Sequence, residues 1–392
     1  MLNNLKIWQR FALVAVAFLV PVGLLLYVAV QSQNYQVAFA DQEMKGTAFE
    51  RPFKKFFAHL LEHRDLSASR QVSETLAAQA EKAAVDVDDD LKRVEEADRN
   101  VGASLGTSDE LASLKALWLR LKADAPTMDS EQALEAHNRL LRAVSHLNIT
   151  FGNASNLILD PDVDTYYAMD ATTFKIYKLM DELSQMRAIG TVALAKPEGL
   201  DAVTRSSLAS LATRADDSLN TLNVNMEFGL DASPLFDSTA RPALQEATTA
   251  VRTYLSGTGA RAARGERSDL LPADFWASTT QAIAATSKLH DAVLGELERM
   301  LQARSAALKG RRNRDLGLVL GAIALASLFL VLAIRSVTRP VNALRAAAEK
   351  ISLGEMDAKL PVADKSELGA LAESFRRMQT SLATAMEALR RR

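Results

Sequence analysis

Two uncharged apolar runs, residues 11–30 and 316–334, stand near the two ends of this 392-residue chain. At 1.5 Å of rise per residue, runs of 20 and 19 residues match a hydrocarbon layer about 30 Å thick. Both read as membrane-spanning helices, so the long segment between them lies on one side of a bilayer.

Lys6 and Arg10 precede the first run as the basic start of a cleaved secretory signal would. The run is longer than the apolar stretch of such a signal, and Val30-Gln31-Ser32 is a poor cleavage site, so it reads as an uncleaved anchor. Lys6 and Arg10 before the first span, with Arg335, Arg339 and Arg345 after the second, put both ends in the cytoplasm. Arg311, Arg312 and Arg314 dilute that bias, but a long loop is translocated largely regardless of charge. The expected layout is a cytoplasmic N-terminus over 1–10, a first span over 11–31, an extracytoplasmic domain over 32–315, a second span over 316–335, a cytoplasmic segment over 336–389 and an end at 390–392. The expected location is the inner (cytoplasmic) membrane, multi-pass, with a periplasmic domain.

A net charge of -2 gives no basic footprint for nucleic acid. With no cysteine, the external domain has no disulfides, thiol chemistry or cysteine-based metal site. Ala, Leu, Glu, Arg, Gln and Ser dominate, and no run alternates like a strand, so the fold is expected to be all-α. Prolines at 52, 126, 161, 197, 234 and 272 punctuate the chain. They suggest helices over 52–82, 86–104, 109–124, 129–159, 163–195, 200–228, 236–256 and 273–314, the first continuing from the membrane helix with a kink near Pro52 and the last leading directly into the second span. Eight pieces suit one or two four-helix bundles, the latter stacked.

Phe49, Phe53, Phe56, Leu60, His63 and Ser67 follow a 4,3,4,3,4 spacing and share one face; Leu289, Val293, Leu297, Met300 and Leu308 mark another seam. His63 and Ser67 stand where apolar residues are expected, with Arg64 beside them. They are either satisfied by a neighbouring helix or poised for a polar or anionic ligand, because buried polar groups need partners. Asp160, Asp162 and Asp164 alternate like the start of a calcium loop, but Thr165 replaces its turn glycine and Ala171 its bidentate glutamate. A helix break at Asp160-Pro161, with Asp162 or Asp164 at the new N-terminus, fits better. No metal or cofactor is expected.

The segment over 60–68 resembles the HRGLS-type stretch in the first helix of many bacterial helical sensor domains, with Asp65 in place of the usual glycine. The stretch over 153–170 resembles the SNL-x-LDPD-x-DSYYLMD segment of the extracytoplasmic domains of bacterial chemoreceptors and related transmembrane signalling proteins. These resemblances imply a helical sensor domain of two stacked four-helix bundles. The candidate ligand-binding residues are His63, Arg64, Ser67, Asn156, Tyr166, Tyr167 and Asp170.

Val337, Val341, Leu344, Ala348 and Ile351 form one heptad stripe, and Leu368, Leu371, Phe375, Met378, Leu382, Ala385 and Leu389 form another, separated by an irregular connector over 354–362. Two such short helices need a partner chain to bury both stripes. The pattern resembles a HAMP domain. That implies a homodimer with a parallel four-helix coiled coil, in which Pro340 opens the first helix, Gly354 ends it and Glu367, Leu368 and Gly369 open the second. Pro340, Leu344, Ile351, Gly354, Glu367, Leu368, Leu371, Phe375 and Met378 are its expected signalling residues.

His59, His63, His137, His146 and His290 are scattered, and no catalytic constellation joins them, so no enzyme is expected. The expected function is that of a transmembrane receptor of the methyl-accepting chemoreceptor type without its methyl-accepting region. It would sense a small molecule, or a periplasmic binding protein, and relay the signal through HAMP. The alternatives are the input half of a sensor histidine kinase or diguanylate cyclase, or a free-standing anchored regulator that pairs with a full-length receptor or kinase.

Overall fold

Aromatic residues spaced three and four apart share one wall of a helix. In the computed structural model, which describes residues 5–266, 270–355, 357–358, 360 and 366–390, Phe49, Phe53, Phe56 and Leu60 are all buried on α1 (Ile7–Ser69). Then follow α2 (Glu74–Leu105), α3 (Ser108–Asp124), α4 (Ser130–Ala154), α5 (Val163–Asp170), α6 (Ile176–Ala195), α7 (Ala202–Ala232), α8 (Pro234–Tyr254), α9 (Ala260–Ala263), α10 (Pro272–Ser352) and α11 (Glu367–Arg390). No strand occurs among the described residues. Residues 1–4, Met356, Lys359, Pro361 and Val362 of the connector, the Leu389 side chain and 391–392 lie outside the described residues.

One expectation about helix ends holds and three need correction. Helix α1 runs through Pro52, continuing from the first apolar run. An interior proline costs about 3 kcal/mol, whereas each fully buried large apolar side chain returns about 1.5–3 kcal/mol, so the phenylalanine wall on both sides of Pro52 outweighs it. The break expected near 83–85 lies instead after Ser69, where Ser73 accepts from the Leu76 amide and caps α2. Pro340 lies inside α10 and opens no new helix. The long helix expected over 129–159 ends at Ala154, because Asn156 adopts φ 65°, a left-handed conformation that asparagine tolerates, ahead of a 3₁₀ turn at Leu157–Leu159.

The chain divides into two compact units, one comprising 36–308 and the other 1–35 with 309–392. In the first, α1 meets α2 through His59 and Asp90, α4 through Phe49 and Phe151, α6 through Phe57 and Tyr177, and α10 through Arg51 and Glu298. One hydrophobic core runs through this unit, from Phe49 and Trp118 to Phe236 and Leu301. α5 and α6 are joined by a π-helical turn, Ala171–Lys175. Gly46 lets α1 approach the 155–157 segment: a Cβ there would meet Ser155 Oγ at 2.4 Å and Leu157 Cδ1 at 2.5 Å.

In the second unit, α1 and α10 each hold a stretch long and apolar enough to cross a membrane. Just beyond those stretches, Gln33 donates to Asp315 at 3.0 Å and Arg312 to Asn34 at 3.0 Å. Leu344 and Ala372 pack together with Leu360 and Leu368 alongside, Gly354 turns the chain at φ 93°, and Gln379 donates to the Ala358 carbonyl at 2.9 Å.

Candidate functional site

Helix α6 interrupts its apolar face with Asp181, Ser184 and Arg187, three residues apart, so all three point to nearly the same side. That side faces Arg64 and Asp65 of α1. Arg64 is fully buried and donates to Asp181 Oδ1 at 2.6 Å, Ser184 Oγ at 2.8 Å, Asn138 Oδ1 at 3.0 Å and Asp65 Oδ1 at 3.2 Å. Burial works against its charge, but Asp181 and Asp65 outweigh that and raise its pKa. Arg187 donates through Nε to Asp65 Oδ2 at 2.8 Å, with Nη2 also 2.8 Å from that oxygen, and through Nη1 to Thr280 at 3.1 Å. Its guanidinium lies 4.6 Å above the Trp276 ring. Ser184 Oγ donates to Asp65 Oδ2 at 2.6 Å. Two guanidiniums and a hydroxyl thus converge on one buried carboxylate and balance its charge.

His63 and Ser67 sit beside this network; His63 is satisfied by His137 of the neighbouring α4, and Ser67 by His63 on its own helix. His63 Nδ1 lies 2.8 Å from His137 Nε2, and Ser67 Oγ is 3.5 Å from His63 Nε2. Burial pushes His63 down to about 4, with Arg70 and Lys122 adding to the shift, and pushes His137 down to about 3.

The other four candidates belong to a different place. From Gly46, beside the 155–157 segment, to His63 is roughly 25 Å along α1. Tyr166 is 41% exposed and edge-on to Tyr167, with ring centroids 5.4 Å apart; Tyr167 stacks on Phe228 at 5.7 Å. Asp170 accepts from Asn225 at 2.7 Å and lies 3.1 Å from Lys175 Nζ. These contacts tie α5 to α7, and Asn156 supplies the left-handed turn. Asp162 takes the N-cap position of α5 but makes no capping bond; its carboxylate goes instead to Arg304, 2.8 Å away. Arg304 also donates to Asp160 at 2.8 Å and pairs with Glu43. Burial, with the Asp160 charge adding, lifts the Glu43 carboxyl to about 8.

A cavity of about 260 Å³ lies between α1, α4 and the start of α6, lined by Phe53, Phe57, Asn148, Tyr177 and Asp181 among others. Asp181, one-third exposed, joins this cavity to Arg64. Sequence reasoning missed Asp181, Ser184 and Arg187. Their signal was a weak one, polar residues at i, i+3 and i+6 between Leu179, Met180, Leu183 and Met186, diluted by Lys178, Glu182 and Gln185 in the same stretch.

A family model described as nitrate and nitrite sensing matches residues 55–298, and the HAMP domain model matches residues 332–384. A sensing domain followed by HAMP, with two membrane-length helices, makes a signal-transducing membrane sensor. The chain is also similar to the solved structure described as "Structure of the NasR transcription antiterminator", at 15% identity over 93% of this chain and 99% of that one, with a TM-score of 0.50. That likeness speaks to the fold alone. Comparison with curated proteins finds no match.

Proposed function

Since this chain belongs to the nitrate and nitrite sensing family, whose model spans most of its length, we propose that it senses a small planar oxyanion of the nitrate and nitrite class and relays its binding through HAMP. The observation that carries this reading is the convergence of Arg64, Arg187 and Ser184 on a single buried carboxylate. A carboxylate and a nitrogen oxyanion share planarity, charge and acceptor geometry, so a fork that holds one suits the other. The sensing domain would face the periplasm, with both termini cytoplasmic, in the inner membrane. The chain would act as a homodimer rather than an enzyme, and the anion would bind directly. Binding would shift the balance between two arrangements of the dimer's membrane helices, and HAMP would repack in response. A chemoreceptor-type output is supported by the resemblance of the 153–170 segment.

The test is a thermal melt of the detergent-solubilised full chain with sodium nitrate or nitrite against equal sodium chloride, since a ligand that binds only the native state raises its melting temperature. A rise of a few degrees by about 10 mM, lost in Arg187→Gln, is the expected result; a flat response for both anions removes the proposal.

A further inference from the structure

Asp65 places its own anion where the donors of this network meet. Its carboxylate is buried, and its two oxygens take hydrogen bonds from Ser184 Oγ at 2.6 Å, Arg187 Nε at 2.8 Å and Arg64 Nε at 3.2 Å, with Arg187 Nη2 2.8 Å away. Formal charges balance: Arg64 and Arg187 against Asp65 and Asp181. Removing the Asp65 carboxylate leaves one net positive charge and a vacated space of one carbon and two oxygens. Nitrite, one nitrogen and two oxygens, matches that space in atom count, planarity and charge. Formate is the excised group itself.

We propose that Asp65 is a tethered occupant of the oxyanion site, and that a small planar monoanion binds there only by displacing its carboxylate from Arg187 and Ser184. The nature of the anion rests on the function proposed above; the occupancy of the site does not. A site open for only a fraction of the time binds its ligand more weakly by that same fraction, so Asp65 sets the concentration at which the sensor responds. Asp181, on the cavity wall and bonded to Arg64, brings solvent within one residue of the network.

The test compares the full chain with Asp65→Ala and Asp65→Asn in detergent, titrating sodium formate, nitrite and nitrate against sodium chloride and following the melting temperature. In Asp65→Ala, formate and nitrite are expected to stabilise with a half-saturating concentration at least about tenfold below that of the unmodified chain. Asp65→Asn fills the same volume and is expected to gain nothing. Equal responses to formate, nitrite and chloride in Asp65→Ala, or an equal gain in Asp65→Asn, overturn the proposal. Should Asp65→Ala lose its cooperative melt in chloride, formate during extraction must restore it, and failure to do so also overturns the proposal. A nitrate response in the unmodified chain without sensitisation in Asp65→Ala removes the tethered occupant and keeps the proposed function. Rescue of Asp65→Ala by formate beside a flat nitrate response in the unmodified chain does the reverse.

Discussion

His137 Nδ1 lies 2.6 Å from the Ala133 carbonyl, which only accepts, so this nitrogen carries the proton. His137 Nε2 is then an acceptor, His63 Nδ1 donates to it, and His63 Nε2 is left to accept from Ser67. A further proton on His63 or His137 breaks this relay and charges a buried ring, which is why both pKa values fall to about 4 and about 3. In the unfolded chain these histidines titrate near 6.5, so below that value the unfolded state binds more protons than the folded one. Their stabilisation is therefore complete above about 6.5 and is lost as pH falls towards 4, by on the order of 3 kcal/mol for His63. Melting temperature measured across this range is expected to fall steeply in the unmodified chain and less steeply in His137→Gln, which removes one of the two titrations. Equal slopes would place the acid sensitivity elsewhere.

Arg304 of α10 reaches Asp160 and Asp162 in the segment between α4 and α5, and Glu43 of α1, so one side chain joins three elements. Burial opposes its charge, but the hydrogen bonds to Asp160 and Asp162 outweigh burial and raise its pKa. Asp160 and Glu43 have fully buried side chains, whereas that of Asp162 is 54% exposed. Removing the shared cation strands the two buried acids, so Arg304→Met is expected to cost about 3–5 kcal/mol in a denaturant melt. Asp162→Asn, at a solvated partner, should cost less than about 1 kcal/mol. The helices that meet here were largely legible in the sequence, because a 3.6-residue period is local: Phe49, Phe53, Phe56 and Leu60, and Leu289, Val293, Leu297 and Met300, are all buried as their spacing predicts, while Leu308 at the end of the second seam is half-buried. His63 and Ser67 also keep to that face. What periodicity cannot give is the helix across the way. Ser184 and Arg187 lie about 120 residues from Arg64 and Asp65, and nothing local pairs them. The break after Ser69 was hidden for a related reason, since no proline or glycine marks it and one serine cap defines it.

The 1–35 and 309–392 unit leaves apolar surface that a single chain does not cover. Leu344, Ala347 and Ile351 of α10 and Ala372 of α11 are buried, but Leu371 and Met378 are each 45% exposed, and Leu382 and Met386 are each 41% exposed. A 24-residue helix gains little stability on its own in water, and an exposed stripe of this kind calls for a partner surface. A second copy of the chain would supply one with the same stripe, in the parallel arrangement that the resemblance to HAMP implies. Leu371→Glu with Met378→Glu would set like charges into that seam and is expected to convert a dimer into a monomer, measured as a halved protein mass by light scattering in detergent. The same double substitution should leave the melting transition of the 36–308 domain unmoved, because its core contains none of these residues. A dimer that survives both glutamates would move the subunit contact away from HAMP to another part of the chain, and signalling would then require a different route between the sensing domain and its output.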